Sequence, residues 1–185
     1  MKNKTVRIIC YMAMYAALYC LLKFVGEFIP FLKMPQGGSI EIEFVAIYIA
    51  SFHLGWKYGA LTGLMGFLLS FILGFPVYWL NVPQFVLDYL IPLMVCGCAS
   101  VFGKGTSWKQ VLGIIVVSCI KYASQVLSGV YFWPPENAVA GSSAAWIYSL
   151  GYNAWYNLAT CIVCAIIVVL LLKRLEKMSA FASIE

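Results

Sequence analysis

A chain of 185 residues that is 63% hydrophobic and only 10% charged cannot cover a water-facing surface, since ordinary soluble domains carry about 25% charged residues, and a soluble enzyme is thereby excluded. Six spans of about 20 residues occupy roughly 120 positions, which suits one compact membrane bundle over residues 1–185 and leaves no room for a further domain of ordinary size. The net charge of +5 is divided among short segments instead of forming one broad basic stripe, so it speaks for membrane topology and against nucleic-acid binding.

Apolar runs predict transmembrane helices over Ile8 to Val25, Glu43 to Leu54, Tyr58 to Leu73, Pro83 to Phe102, Val111 to Tyr131 and Trp146 to Leu172. The first begins like a secretory signal, with basic residues before an apolar run, but shows no persuasive cleavage site and is read as a span of the mature protein. Its Ala13 and Ala17 lie one above the other and permit close approach of another helix, either of this bundle or of a partner. The following segment, Gly26 to Glu41, contains Pro30, Pro35, Gly37 and Gly38, and turns without regular helix as a lid or a simple connection.

The second span is short and either extends back through Ile40 or runs at an angle. Glu41 and Glu43 stand at its outer end on different faces. Gly55, Gly59, Gly63 and Gly66 offer close helix contacts around spans two and three. Span three runs into a turn at Gly74 and Pro76, after which Tyr78, Trp79, Gln84, Asp88 and Tyr89 share one outer depth. Asp88 is about five residues inside span four, where a carboxylate is costly and normally faces a cavity or a partner. Lys121, near the middle of span five, is its expected counter-charge, which leaves Asp88 either as a ligand contact or as half of a structural pair.

Lys121, Gln125, Gly129 and Trp133 recur every four residues and aim one polar face at the outer mouth. Trp133 there is either a stacking surface for a flat cation or an interfacial anchor. Pro134, Pro135 and Gly141 shape a second outer lid or connection. Span six opens with Trp146, Tyr148, Tyr152, Asn153, Trp155, Tyr156 and Asn157, a run too polar to face lipid alone. Carboxylates, amides and aromatics converging at one depth suit a small, flat, cationic or hydrogen-bonding solute better than an anion or a lipid.

Orientation follows from the lysines and arginines. Nine of twelve fall on one side: Lys2, Lys4, Arg7, Lys57, Lys104, Lys109, Lys173, Arg174 and Lys177. The positive-inside rule makes that side, with both termini, cytoplasmic. Seven cysteines, including Cys96, Cys98, Cys161 and Cys164, lie in or near apolar spans and read as small buried side chains, not as metal or redox sites. His53, the one histidine, has no HExxH context. Gly103-Lys104-Gly105-Thr106 lacks Walker spacing, and no nucleophile, base and orienting group stand in a specified set, so neither an ATPase nor another enzyme is expected.

In this order across six spans, the Met12 to Leu22 face, Met34-Pro-Gln-Gly-Gly-Ser-Ile40, Glu43, Gln84-Phe-Val-Leu-Asp-Tyr89, Lys121-Tyr122, Gly129-Val-Tyr-Phe-Trp133 and Tyr148-Ser-Leu-Gly-Tyr-Asn153 resemble the thiamine-specific substrate-binding subunit, or S component, of energy-coupling factor transporters. The resemblance covers almost the whole chain. It implies a non-catalytic subunit in the cell membrane, without a cofactor or metal of its own, that captures thiamine from outside. Its partners would be membrane lipid, a transmembrane coupling subunit docked at Ala13 and Ala17, and two cytoplasmic ATPases that carry ATP and Mg. The implied ligand contacts are Asp88, Gln125, Trp133, Tyr148 and Asn153, with Glu43, Tyr78 and Tyr89 nearby, and the implied gate is the Gly37-Gly38 region. Two positions depart from the family pattern: Asp88 stands where glutamate is expected, and Gln125 where histidine is expected. A thiamine precursor, a pyridoxine-like vitamin or another cationic heterocycle is the alternative ligand; a solo proton-coupled carrier or a non-transport membrane protein is the alternative class.

Overall fold

A computed structural model of the chain describes residues 2–33, 38–103 and 105–178. Six helices follow one another among them: α1 (Lys2–Glu27), α2 (Phe44–Leu54), α3 (Trp56–Ile72), α4 (Val82–Cys96), α5 (Ser107–Phe132) and α6 (Ser143–Leu175). Of these, α1, α5 and α6 are long and apolar enough to cross a membrane, and the chain is an all-α, multi-pass membrane protein.

The centre of the bundle is α2. All eleven of its residues are buried, among α1, α3, α4 and α6, as expected for a helix that is apolar on every side. At 1.5 Å per residue it is about 16 Å long, half the thickness of a hydrocarbon core. The sequence allowed the helix to reach back through Ile40; instead it starts at Phe44, and residues 38–43 run into it as non-helical chain. Irregular backbone at membrane depth persists only where protein satisfies its polar groups. Here Gly38 N–H donates to the Tyr152 hydroxyl (2.8 Å), Ile40 N–H to Leu32 O (2.7 Å) and Glu41 N–H to Thr160 Oγ1 (3.0 Å). The segment is thereby strapped to α6.

Close approach elsewhere depends on missing side chains. A Cβ on Gly59 would stand 2.2 Å from Gly97 O, and one on Gly97 would meet Gly59 backbone at 2.3 Å, so α3 and α4 cross at backbone contact, the packing that lipid-embedded helices favour. Helix ends follow local rules. Asn81 Oδ1 caps α4 by accepting from Gln84 N–H (2.9 Å), and Ser142 Oγ caps α6 by accepting from Ala145 N–H (3.3 Å). Span four was expected to stay helical to Phe102; it ends at Cys96 and is followed by a short 3-10 turn, Ala99–Val101.

A widened π turn, Val86–Leu90, interrupts α4, with Ile91 N–H bonded to Val86 O, five residues back. Pro92, just beyond, has no N–H to offer the Asp88 carbonyl four residues earlier. Such turns frequently mark functional sites, and this one carries Asp88 and Tyr89.

Candidate functional site

Beneath the loops at one end of the bundle lies a cavity of about 650 Å³. Its walls come from Tyr19 and Lys23 of α1, the strap at Gly38 to Glu41, the π turn of α4, the upper half of α5 with the Trp133 to Glu136 loop, and the stretch Tyr148 to Tyr156 of α6.

One wall is a hydrogen-bonded clamp. Asp88 Oδ2 accepts from Gln84 Nε2 at 2.7 Å and from Trp133 Nε1 at 3.0 Å. Gln84 is fully buried; its Nε2 also donates to Tyr78 O (3.1 Å), and its Oε1 accepts from Leu80 N–H (3.0 Å). Tyr89 O–H accepts from Tyr78 N–H at 2.9 Å. The Tyr78 ring meets the Trp133 indole edge to face, with centroids 6.4 Å apart. Thus Gln84 ties the loop before α4 to Asp88, and Asp88 ties α4 to the end of α5. One carboxylate oxygen of Asp88, Oδ2, is thereby committed to protein donors.

The opposite wall is aromatic and amide. Tyr148 and Tyr152 stack at 5.8 Å, and Tyr152 meets Tyr156 edge to face. Asn153 Nδ2 donates to Ser149 O (2.9 Å) and Ser149 Oγ (3.1 Å), while its Oδ1 accepts from the Tyr156 hydroxyl. Gly129 sits where a Cβ would be 2.2 Å from Ser149 Oγ, so α5 and α6 meet closely at this depth.

The floor is polar. Lys121, 1% exposed, is ion-paired with Glu41 and donates to Asn157 Oδ1 at 2.8 Å. Asn157 Nδ2 in turn donates to Gln125 Oε1 at 2.8 Å. The expected pairing of Lys121 with Asp88 is therefore wrong. Lys121 and Trp133 are twelve residues apart on α5, about 18 Å along the axis, and Asp88 is held at the Trp133 end. Glu41, delivered by the strap, is the carboxylate within reach.

The structure brings Asp88, Gln125, Trp133, Tyr148, Asn153, Tyr78 and Tyr89 to one cavity wall or another. Glu43 is set apart from them: it is buried at the start of α2 and does not line the cavity. Of the Gly37-Gly38 gate region, Gly38 lines the cavity, whereas Met34 to Gly37 lie outside the described residues. Residue types alone did not reveal Glu41 as the partner of Lys121, Gln84 as the joint of the clamp, or Lys23 and Glu136 as lining charges. The spacing of Gln84 and Asp88, four apart on one helix, was the available signal for the second.

The lining residues include three carboxylates, Glu41, Asp88 and Glu136, and one ammonium, Lys23. Because Lys121 neutralises Glu41 from behind, Asp88 and Glu136 remain against Lys23, and the cavity keeps an excess of negative charge. Among the described residues no cluster of three or more His, Cys, Asp or Glu side chains is placed to hold a metal. The seven cysteines are unbridged. His53 is a packing residue, with Nδ1 2.8 Å from the Tyr15 hydroxyl and its ring edge-on to Tyr11.

On α1, Met12, Tyr15, Ala16 and Tyr19 turn into the bundle, whereas Ala13 and Ala17 are exposed on its outer surface.

Comparison with known proteins adds three findings. The family described as "Thiamine transporter protein" matches residues 9–180. The thiamine transporter ThiT of Bacillus subtilis (strain 168) is 33% identical over 153 residues, covering 76% of this chain and 78% of that protein. A solved structure of ThiT from Listeria monocytogenes superposes with a TM-score of 0.77, covering 93% of this chain and 96% of that one at 24% identity, a likeness of fold.

Proposed function

The chain belongs to the thiamine transporter protein family, and on that premise we propose that it is the substrate-binding S component of an energy-coupling factor transporter, whose outer cavity captures thiamine. The observation that carries this reading is the clamp joining Trp133 to Asp88 within a cavity of excess negative charge. Thiamine carries a flat cationic ring. A tryptophan face attracts such a ring through its quadrupole, and a carboxylate at the edge of the same indole adds charge complementarity in a site partly screened from water. The second, aminopyrimidine ring suits the Tyr148, Tyr152, Asn153 and Gln125 side, where hydroxyl and amide groups supply hydrogen bonds to ring nitrogens and the amino group.

Nine of twelve basic residues on one side support six spans with both termini cytoplasmic, and so a cavity open to the outside. Release against this binding energy needs work done elsewhere. The exposed Ala13 and Ala17 face of α1 supports docking of a transmembrane coupling subunit by close helix approach, with two cytoplasmic ATPases, carrying ATP and Mg, driving remodelling of the bound state.

Calorimetry on the isolated subunit and uptake by proteoliposomes test both halves. Thiamine should bind the solitary chain, and ATP-dependent uptake should need the coupling module. Proton-driven uptake by the solitary chain, or no thiamine binding, would reject the reading.

A further inference from the structure

At the end of α5 and α6 remote from the cavity, the two helices leave a groove of about 450 Å³ whose accessible lining is wholly apolar. Val111 and Ile115 form one side, and Cys161, Ala165, Ile166 and Leu170 are prominent on the other. Its rims are exposed, with Ile115, Ile166 and Leu170 between 43% and 59% accessible. The small Ala165 deepens the space between them.

Length, charge and register agree on the occupant. From Cys161 to Leu170 the groove follows nine helical steps, about 14 Å at 1.5 Å per residue, close to half of a hydrocarbon core about 30 Å thick. It therefore has the span of one leaflet. Four residues beyond Val169 and Leu170 on the same faces come Lys173 and Arg174, both exposed. Across from them, the exposed Trp108 precedes Val111 by three residues on the same face of α5. Gln110 Nε2 donates to Glu176 Oε1 at 3.0 Å, which brings these two helix ends to one level. Lys173, Arg174 and Lys177 outnumber Glu176 there, so the apolar groove opens onto a cationic rim beside an exposed tryptophan, as at a membrane interface. A transmembrane helix is about 10 Å wide with its side chains and would need a longer bed than the single turn that α5 contributes.

We infer that this groove holds one acyl chain of an anionic phospholipid, with its phosphate headgroup on Lys173 and Arg174. Basic pockets between membrane helices hold anionic headgroups in this way, and the preference for charge comes from the rim, not from the groove. The inference is independent of what the outer cavity binds.

Native mass spectrometry of the full chain, released from mixed micelles containing equal phosphatidylglycerol and phosphatidylcholine, tests it. One phosphatidylglycerol should remain bound per wild-type chain. The double variant Lys173→Gln, Arg174→Gln should lower the preference for phosphatidylglycerol on the order of tenfold, and Ala165→Phe, which fills the groove and keeps the rim, should reduce retention of both lipids. Unchanged ligand binding in the outer cavity and unchanged thermal unfolding verify that the variants fold; if Ala165→Phe does not, Ala165→Leu takes its place. Equal retention of the two lipids by wild type, retention indifferent to filling at position 165, or a lipid-free dimer broken by that filling would each overturn the inference.

Discussion

Asp88 both joins protein elements and carries a charge. Its Oδ2 fixes the Trp133 indole and the Gln84 amide, so the residue orients the surface proposed for stacking as well as placing a charge beside it. Asp88→Asn retains an oxygen able to accept both bonds and removes the charge. Thiamine binding should then weaken roughly tenfold to a hundredfold, the worth of a charge-assisted contact, while a neutral isostere of the same ring shape changes little. Trp133→Ala should weaken both ligands by removing the stacking face. Calorimetry with the two ligands separates the effects, and equal losses for both after Asp88→Asn would remove Asp88 as the charge partner. Gln84 touches the pocket only through others. Gln84→Leu leaves Tyr78 O and Leu80 N–H without their buried partner, so affinity for both ligands should fall and hydrogen exchange at Leu80 should accelerate. Because Gln84 acts through Asp88, its effect and that of Asp88→Asn should be non-additive in a double-mutant cycle; simple additivity would separate the two residues.

At the scale of elements, the strap before α2 explains why a lysine survives in the middle of a membrane helix. Lys121 is buried against Glu41, whose side chain is 21% exposed. Removing one member of such a pair strands the other. Lys121→Met or Glu41→Gln alone should cost about 3–5 kcal/mol, and the double substitution less than either sum, read by chemical unfolding of the ligand-free protein. A double variant as unstable as the sum of the singles would show that the pair is not coupled. On α1 the opposite logic holds, because Ala13 and Ala17 are exposed on the outer surface of the bundle. Ala13→Trp or Ala17→Trp should abolish capture of the coupling subunit in pull-down assays and leave thiamine affinity within about twofold. Loss of ligand binding with assembly intact would instead turn that face towards the substrate.

Across the whole molecule, the sequence by itself determined the all-α membrane class and the approximate helices, because apolar runs are one-dimensional signals. It also singled out Asp88, Trp133, Tyr148 and Asn153, since polar and amphipathic groups within apolar helices are conspicuous wherever the chain goes. Only the tertiary structure decided who meets whom. Periodicity gives the face of one helix but neither its rotation against a neighbour nor its axial offset. That is why Lys121 was matched to Asp88, conspicuous in the chain, when Glu41 is the carboxylate at its depth. The same gap hid the strap at residues 38–43 and the π turn around Asp88, where bonds from α6 and the missing N–H of Pro92 override local helical preference. The chain encodes which groups are costly to bury; packing determines which partners offset that cost.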